Sequence, residues 1–142
     1  MKTVREMLDG KQESLATIAP SASVLDATKL MSEKNIGALL VIEGDRLIGL
    51  ISERDVAYKL VCVGDSAEET PVRAIMSAEV VYVTPNQTLE ECMALMTEKR
   101  VRHLPVKDGD RLIGVVSIGD AVKSIISEQQ FLIEQLENYI TA

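Results

Sequence analysis

An α+β fold is predicted, built from two pseudo-symmetric β-α-β-β-α repeats with a long C-terminal helix, and three observations predict it. The first is an internal duplication. Gly44-Asp45-Arg46-Leu47-Ile48-Gly49 returns unchanged as Gly109-Asp110-Arg111-Leu112-Ile113-Gly114, 65 positions on (44 to 109), and Ser52 and Asp55 return as Ser117 and Asp120. At the same offset Leu30, Met31, Glu33 and Lys34 fall on Leu95, Met96, Glu98 and Lys99, Leu39 and Val41 on Leu104 and Val106, and Pro20 on Pro85. Self-similarity at a fixed period marks one supersecondary unit used twice. The second observation is a change of period inside each copy, from helical spacing to short apolar runs around a Gly-Asp turn. The third is a stripe of helical period that outlasts the second copy: Val122, Ile125, Ile126, Leu132, Ile133, Leu136, Tyr139 and Ile140.

Each element follows from local chemistry. Residues 3–8 form a short lead-in whose pattern, Val4-Arg5-Glu6-Met7-Leu8, returns in Val72-Arg73-Ala74-Ile75-Met76, though not at the 65-residue offset. Residues 16–18 and 80–83 are predicted as short strands, ended by Pro20 and Pro85. Val24, Ala27 and Met31 sit at helical spacing, as do Leu89, Cys92, Met93 and Met96. Ser23 with Asp26, and Thr88 with Glu91, fit capping boxes at those helix starts. Residues 38–42 and 47–51 are β-branched or leucine-rich and too short for helices, so they form a hairpin across Gly44-Asp45. A helix is predicted over 56–63, and the acidic stretch 64–70 is a linker. The organisation is then residues 1–66 for the first repeat with its lead-in, 67–127 for the second, and 128–142 for a helical extension. If continuous, residues 121–140 span about 30 Å at 1.5 Å per residue. That is too long for one small unit to cover, so the helix either wraps the other repeat or packs on another chain.

Composition removes several function classes. A unit of about sixty residues buries little surface alone, so the two copies are expected to share a core. A net charge of −7 argues against non-specific nucleic-acid binding. The aromatics Tyr58, Tyr82, Phe131 and Tyr139 are too few for a base-stacking platform. No apolar run approaches the ~20 residues of a membrane span, and residues 1–10 hold no signal-peptide core, so a cytoplasmic location is expected. Cys62 and Cys92 lack metal-ligand spacing and read as small buried residues of a reducing compartment.

Two constellations carry chemistry. Ser52 with Asp55, and Ser117 with Asp120, sit where a strand becomes a helix. A serine hydroxyl and the N–H groups of a helix start can hold a phosphate, and a carboxylate one turn on can accept hydrogen bonds from two ribose hydroxyls. Ser-x-x-Asp before an apolar helix is equally an ordinary capping box. Both copies keep the pair while Glu53-Arg54 becomes Ile118-Gly119. The other constellation is Lys99-Arg100-Val101-Arg102-His103-Leu104-Pro105-Val106, a dense basic cluster holding the only histidine. Lys99 and Arg100 suit a helix C-terminus. Arg102 and His103 are less well explained that way, because strand alternation points neighbours to opposite sides; the first repeat has Gly37-Ala38 in their place, so the fold does not require a basic pair, and a phosphate clamp is the sharper reading. One histidine, unpaired cysteines and the lack of a Walker or Rossmann loop leave no nucleophile, base and orienter set, so neither an enzyme nor a metal site is expected.

The tandem unit, the Gly-x-x-Ser-x-x-Asp passage and the Arg-His-Leu-Pro-Val strand resemble a CBS domain pair, the module named after cystathionine β-synthase, over residues 3–127. The last helix is similar to that of small stand-alone pairs. The resemblance implies a cleft between hairpin sheets that holds up to two adenine nucleotides, and homodimers that stack two pairs into a disc. It implies that the Ser and Asp of one repeat meet the basic pair of the other. Carried over, the main site comprises Leu50, Ser52, Asp55, Val81, Arg102 and His103, with the Val81 main chain near the adenine. A second, weaker site comprises Ala16, Gly37, Val115, Ser117 and Asp120, with Gly37-Ala38 where the basic pair would be. The function so implied is a non-enzymatic regulatory module that binds AMP, ADP, ATP or NAD(H), AMP foremost, senses energy or redox state and acts on a protein partner. The alternative is a structural, dimeric interaction protein with vestigial nucleotide sites.

Overall fold

A computed structural model describes residues 2–9 and 15–141. In chain order the elements are α1 (Val4–Asp9), β1 (Thr17–Ile18), α2 (Val24–Lys34), β2 (Ala38–Glu43), β3 (Arg46–Ser52), α3 (Glu53–Asp55) with a π-helical continuation Val56–Val61, a 3-10 turn Val72–Ala74, α4 (Leu89–Lys99), β4 (His103–Asp108), β5 (Arg111–Ser117) and α5 (Ile118–Thr141). The α+β prediction holds. The described residues gather into two compact units, 15–81 in one and 2–9 with 82–141 in the other.

The hairpins are near copies. β2 pairs with β3 from Ala38↔Ser52 to Glu43↔Arg46, and β4 with β5 from His103↔Ser117 to Asp108↔Arg111. Both carry a register shift at the same place, Val41/Ile42 and Val106/Lys107. The two-residue loops begin on Gly44 and Gly109 at φ 62 and 63. A left-handed first loop residue is what a tight hairpin turn requires, and only glycine takes it without a Cβ penalty.

The strands before the helices differ. β1 runs parallel to β2 through Thr17↔Leu40 and Ile18↔Val41, and Leu40 N–H donates to the Ala16 carbonyl at 3.1 Å. The predicted strand over 80–83 is not formed; it is reduced to one parallel bridge, Val83↔Val106. The residue matching Leu40 is Pro105 (40 to 105). Proline has no N–H to donate, so pairing stops at Val83.

At the two helix starts read as capping boxes, the N-cap half is seen. Ser23 Oγ accepts from Asp26 N–H and Thr88 Oγ1 from Glu91 N–H. At the other ends Asn35 and Arg100 both take the left-handed conformation, φ 52 and 55. The stretch 64–70 is no slack linker: the Thr70 and Ala67 carbonyls accept from Val24 and Leu25 N–H, each at 2.9 Å. These bonds satisfy two of the donors that a helix start leaves without partners.

The lead-ins are exchanged. Val72 and Arg73 N–H donate to Ala22 and Pro20 carbonyls, while Val4 and Arg5 N–H donate to Gln87 and Pro85 carbonyls. Each lead-in thus docks beside the helix start of the repeat that does not follow it directly. Val72 and Ile75 complete the core of one unit with Val24, Ala27, Met31, Leu39, Val41, Ile51 and Leu60. Val4 and Met7 are buried in the other, where Leu89, Cys92, Met96, Leu104, Val106 and Val116 are also buried. The strand glycines fit this docking. A Cβ on Gly49 would lie 2.6 Å from Met76 Sδ and 3.0 Å from the Ser77 carbonyl, and one on Gly114 2.6 Å from Leu8 Cδ2.

Of the two remaining helical expectations, one is revised and one holds. The helix predicted over 56–63 ends at Val61 and is π-wound, with Cys62 N–H bonded to the Ala57 carbonyl at 3.1 Å. Cys62 therefore lies past the helix end and is exposed, not buried, while Cys92 is buried as expected. The final helix is continuous, about 36 Å long at 1.5 Å per residue. Its buried residues, Ala121 and Ser124, lie in its early turns, and Phe131, Leu132, Ile133, Leu136, Tyr139 and Ile140 are exposed. Among the described residues no helix is long and apolar enough to cross a membrane.

Candidate functional site

Each hairpin ends on a serine whose extended backbone hands the chain to a helix. Ser52 N–H and hydroxyl both donate to Asp55 Oδ2, at 2.9 and 3.1 Å, and Asp55 N–H donates to Ser52 Oγ at 3.2 Å. At the second junction Ser117 N–H donates to Asp120 Oδ2 at 2.8 Å, and Asp120 N–H to Ser117 Oγ at 3.1 Å. Both serine–aspartate pairs therefore do cap their helices. The main chain closes each junction alike: Glu53 N–H donates to the Gly37 carbonyl at 3.0 Å, and Ile118 N–H to the Arg102 carbonyl at 2.8 Å.

These bonds group the candidate residues unit by unit. In one unit Gly37 lies beside Ser52 and Asp55, and Leu50 exchanges both main-chain hydrogen bonds with Ser77, at 3.0 and 2.9 Å. Ala16 accepts from Leu40 in the same sheet, and Val81, half-buried, lies outside any strand. In the other unit Arg102 and His103 stand beside Ser117: His103 is half-buried and opposite Ser117 in the ladder, and Arg102 is exposed. Val115 is opposite Pro105 and half-buried. Arg100, part of the basic cluster, is the left-handed residue that ends α4.

Two further residues meet the first carboxylate. Lys59 Nζ is 2.9 Å from Asp55 Oδ1 and also donates to the Ile75 carbonyl at 3.1 Å, while Ser77 Oγ is 3.4 Å from the same Oδ1. The i,i+4 spacing of Asp55 and Lys59 is a readable signal for a helical ion pair. Ser77, 22 residues away, carries none and arrives with the lead-in. Elsewhere, burial, with a smaller contribution from Glu91, pushes the Cys92 thiol from its ordinary 9.0 up to about 11. It is thus held as an inert neutral thiol. Among the described residues no group of three His, Cys, Asp or Glu side chains could hold a metal ion.

The model of the CBS domain family matches residues 4–61 and 72–127. The chain belongs to the CBS domain family. It is a tandem CBS pair, and both matched stretches open on a lead-in, at Val4 and Val72. The CBS domain-containing protein YhcV of Bacillus subtilis is 34% identical over 85% of the chain and 86% of its own length. The mitochondrial CBS domain-containing protein CBSX3 of Arabidopsis thaliana is 40% identical over 83% of the chain, which spans 60% of that relative. A solved structure of a protein with CBS domains from Burkholderia ambifaria superposes with a TM-score of 0.87 at 51% identity, over 90% of this chain and 96% of that one.

Proposed function

We propose that this CBS pair is a non-enzymatic regulatory module that binds an adenine nucleotide and reports its presence to a protein partner. The observation that carries the reading is the Ser–Asp junction, kept in both repeats of a CBS pair with the same main-chain closure while the residues between differ. A CBS domain protein from Pyrobaculum aerophilum, which shares the fold at 18% identity and a TM-score of 0.73, is complexed with AMP. Ser52 and Asp55, like Ser117 and Asp120, are assigned to ribose and phosphate, Arg102 and His103 to phosphate, and the Val81 and Ala16 main chains to adenine. AMP is the foremost candidate, with ADP, ATP and NAD(H) as the others, and the cytoplasm is the proposed place of action.

A ligand that binds only the folded chain stabilises it by about 2.7 kcal/mol at roughly 100 times its dissociation constant, several degrees in Tm for a chain of this size. A thermal scan with AMP, ADP, ATP, NAD, NADH and S-adenosylmethionine at millimolar concentration is expected to show that shift for at least one, with the ligand recovered unchanged. No shift with any of them overturns the reading.

Homodimerisation is part of the proposal. Val61 and Ile126 are equivalent positions (61 to 126) and both are exposed, at 68% and 50%, as is the distal stripe of α5. A twofold dimer would remove such surface from water. Light scattering should give a dimer mass, and deletion of residues 131–142 should weaken it; a monomer at micromolar concentration with and without AMP refutes this. The exposed stripe also favours the second reading, an interaction protein whose nucleotide sites are vestigial, and the thermal scan separates the two.

A further inference from the structure

Among the described residues Asp55 is the one buried charged residue, 8% exposed. A carboxylate has about four lone-pair positions, and four donors converge on this one. Ser52 N–H and hydroxyl occupy Oδ2 at 2.9 and 3.1 Å. The Lys59 ammonium and the Ser77 hydroxyl face Oδ1 at 2.9 and 3.4 Å. The carboxylate is filled by the chain itself, and a ribose diol would have to evict something to bind there. The donors on Oδ2 belong to the cap and are held by the backbone. Those on Oδ1 come from side chains. The Lys59 side chain is 47% exposed, so it can swing into water at little cost, as an ion pair this accessible contributes little net stability.

We propose that Lys59 and Ser77 hold Asp55 in a self-occupied state, and that a ligand bearing a vicinal diol reaches this carboxylate only by displacing them from Oδ1. The proposal rests on the nucleotide reading above and adds to it a residue that sets affinity and a route for the signal. Lys59 also donates to the Ile75 carbonyl at 3.1 Å, and Ser77 is bonded to Oδ1 itself, so displacing both from Oδ1 frees that carbonyl and the Ser77 hydroxyl together. Both belong to the lead-in that supplies Val72 and Ile75 to the core of the unit. Occupancy of Asp55 is thereby transmitted to residues 72–77, which lead by sequence into the second repeat. The residue matching Lys59 in the second repeat is Ser124 (59 to 124), buried and uncharged, so a lysine latch one turn past the junction is particular to Asp55.

Adenosine is the probe, since it carries the diol without a phosphate. Calorimetry on the full chain compares wild type with Lys59→Met, Ser77→Ala and Asp55→Ala. Lys59→Met is expected to bind adenosine about two- to fivefold more tightly, the weight of an ion pair this exposed. Ser77→Ala should move the same way by a smaller factor, and Asp55→Ala should abolish this binding. Amide exchange supplies a readout that a merely structural lysine would not move. Adenosine should speed exchange over 72–77 in wild type and leave it unchanged in Lys59→Met, where it is already fast. Adenosine binding that Asp55→Ala removes but Lys59→Met weakens or leaves as it was overturns the latch and spares the nucleotide reading. Adenosine binding by no variant overturns both. Exchange over 72–77 that does not respond to saturating adenosine overturns the transmission. Should Lys59→Met fail to fold, Lys59→Gln and Ser77→Ala carry the same comparison.

Discussion

Gly49 and Gly114 occupy the same position on β3 and β5, both buried, and neither has a positive φ, so replacement by alanine tests only the space around them. The neighbours differ in kind. A Cβ on Gly49 meets Met76 Sδ at 2.6 Å, Met76 Cγ at 3.1 Å and the Ser77 carbonyl oxygen at 3.0 Å. The methionine can turn away, but the carbonyl cannot shift without disturbing the pair of bonds between Leu50 and Ser77, 3.0 and 2.9 Å long. The three atoms nearest a Cβ on Gly114 all belong to Leu8, at 2.6, 3.1 and 3.4 Å to Cδ2, Cδ1 and Cγ. Leu8 is half-buried on α1 and can change rotamer. Overpacking a tight site costs about 1–3 kcal/mol, and each weakened main-chain bond adds about 0.5–1.5 kcal/mol. Against this, alanine gains about 0.4–1 kcal/mol by restricting the unfolded chain. Gly49→Ala should therefore destabilise by about 1–5 kcal/mol, and Gly114→Ala should stay within about 1 kcal/mol of wild type. Urea unfolding read as a change in midpoint at constant slope measures both. In a thermal scan the gap should be several degrees, at about 3–5 °C per kcal/mol for a chain of this size. Equal costs, or a larger cost at Gly114, would refute the contrast between a fixed carbonyl and a mobile leucine.

Three further outcomes are expected. Arg102→Ala should weaken AMP but hardly affect adenosine, and Asp55→Ala should weaken AMP about ten- to a hundredfold, the weight of hydrogen bonds to a charged group; calorimetry that finds the AMP site lost in Asp120→Ala but intact in both of these reverses the assignment. Arg100→Asn should stabilise by about 0.5–1 kcal/mol in urea unfolding, since Arg100 holds a left-handed φ of 55 where the first repeat has Asn35. Cys92 gives a pH effect. Its folded pKa, raised to about 11 from 9.0, makes the folded chain the better proton binder. Its stabilisation is complete below pH 9, is lost as pH rises to about 11, and amounts to roughly 1–3 kcal/mol. Cys92→Ala should flatten that part of the stability profile, and native-state thiol titration should find Cys62 fast and Cys92 slow.

The repeat, the hairpins, their glycine turns, the caps on α2 and α4 and both Ser–Asp junctions were legible in the sequence because each depends on partners a few residues apart. Asp26 N–H reaches Ser23, and Asp55 N–H reaches Ser52, whatever the rest of the chain does. The distal stripe of α5 was legible too, since period alone shows a face, although not what covers it. What tertiary structure decided lies between distant segments. Two lead-ins of nearly the same pattern could each have docked on either repeat. The hydrogen bonds Val4→Gln87 and Val72→Ala22 show which did, and no local propensity distinguishes them. Ser77 reaches Asp55 and the Ser77 carbonyl crowds Gly49 only because that exchange brings them together. The lost strand over 80–83 depends likewise on a partner, since Val80 to Val83 are good strand residues and the missing donor is on Pro105. Side chains that act within a turn are written into the local pattern, whereas those that meet across the fold depend on which surfaces the whole chain finds it most favourable to bury.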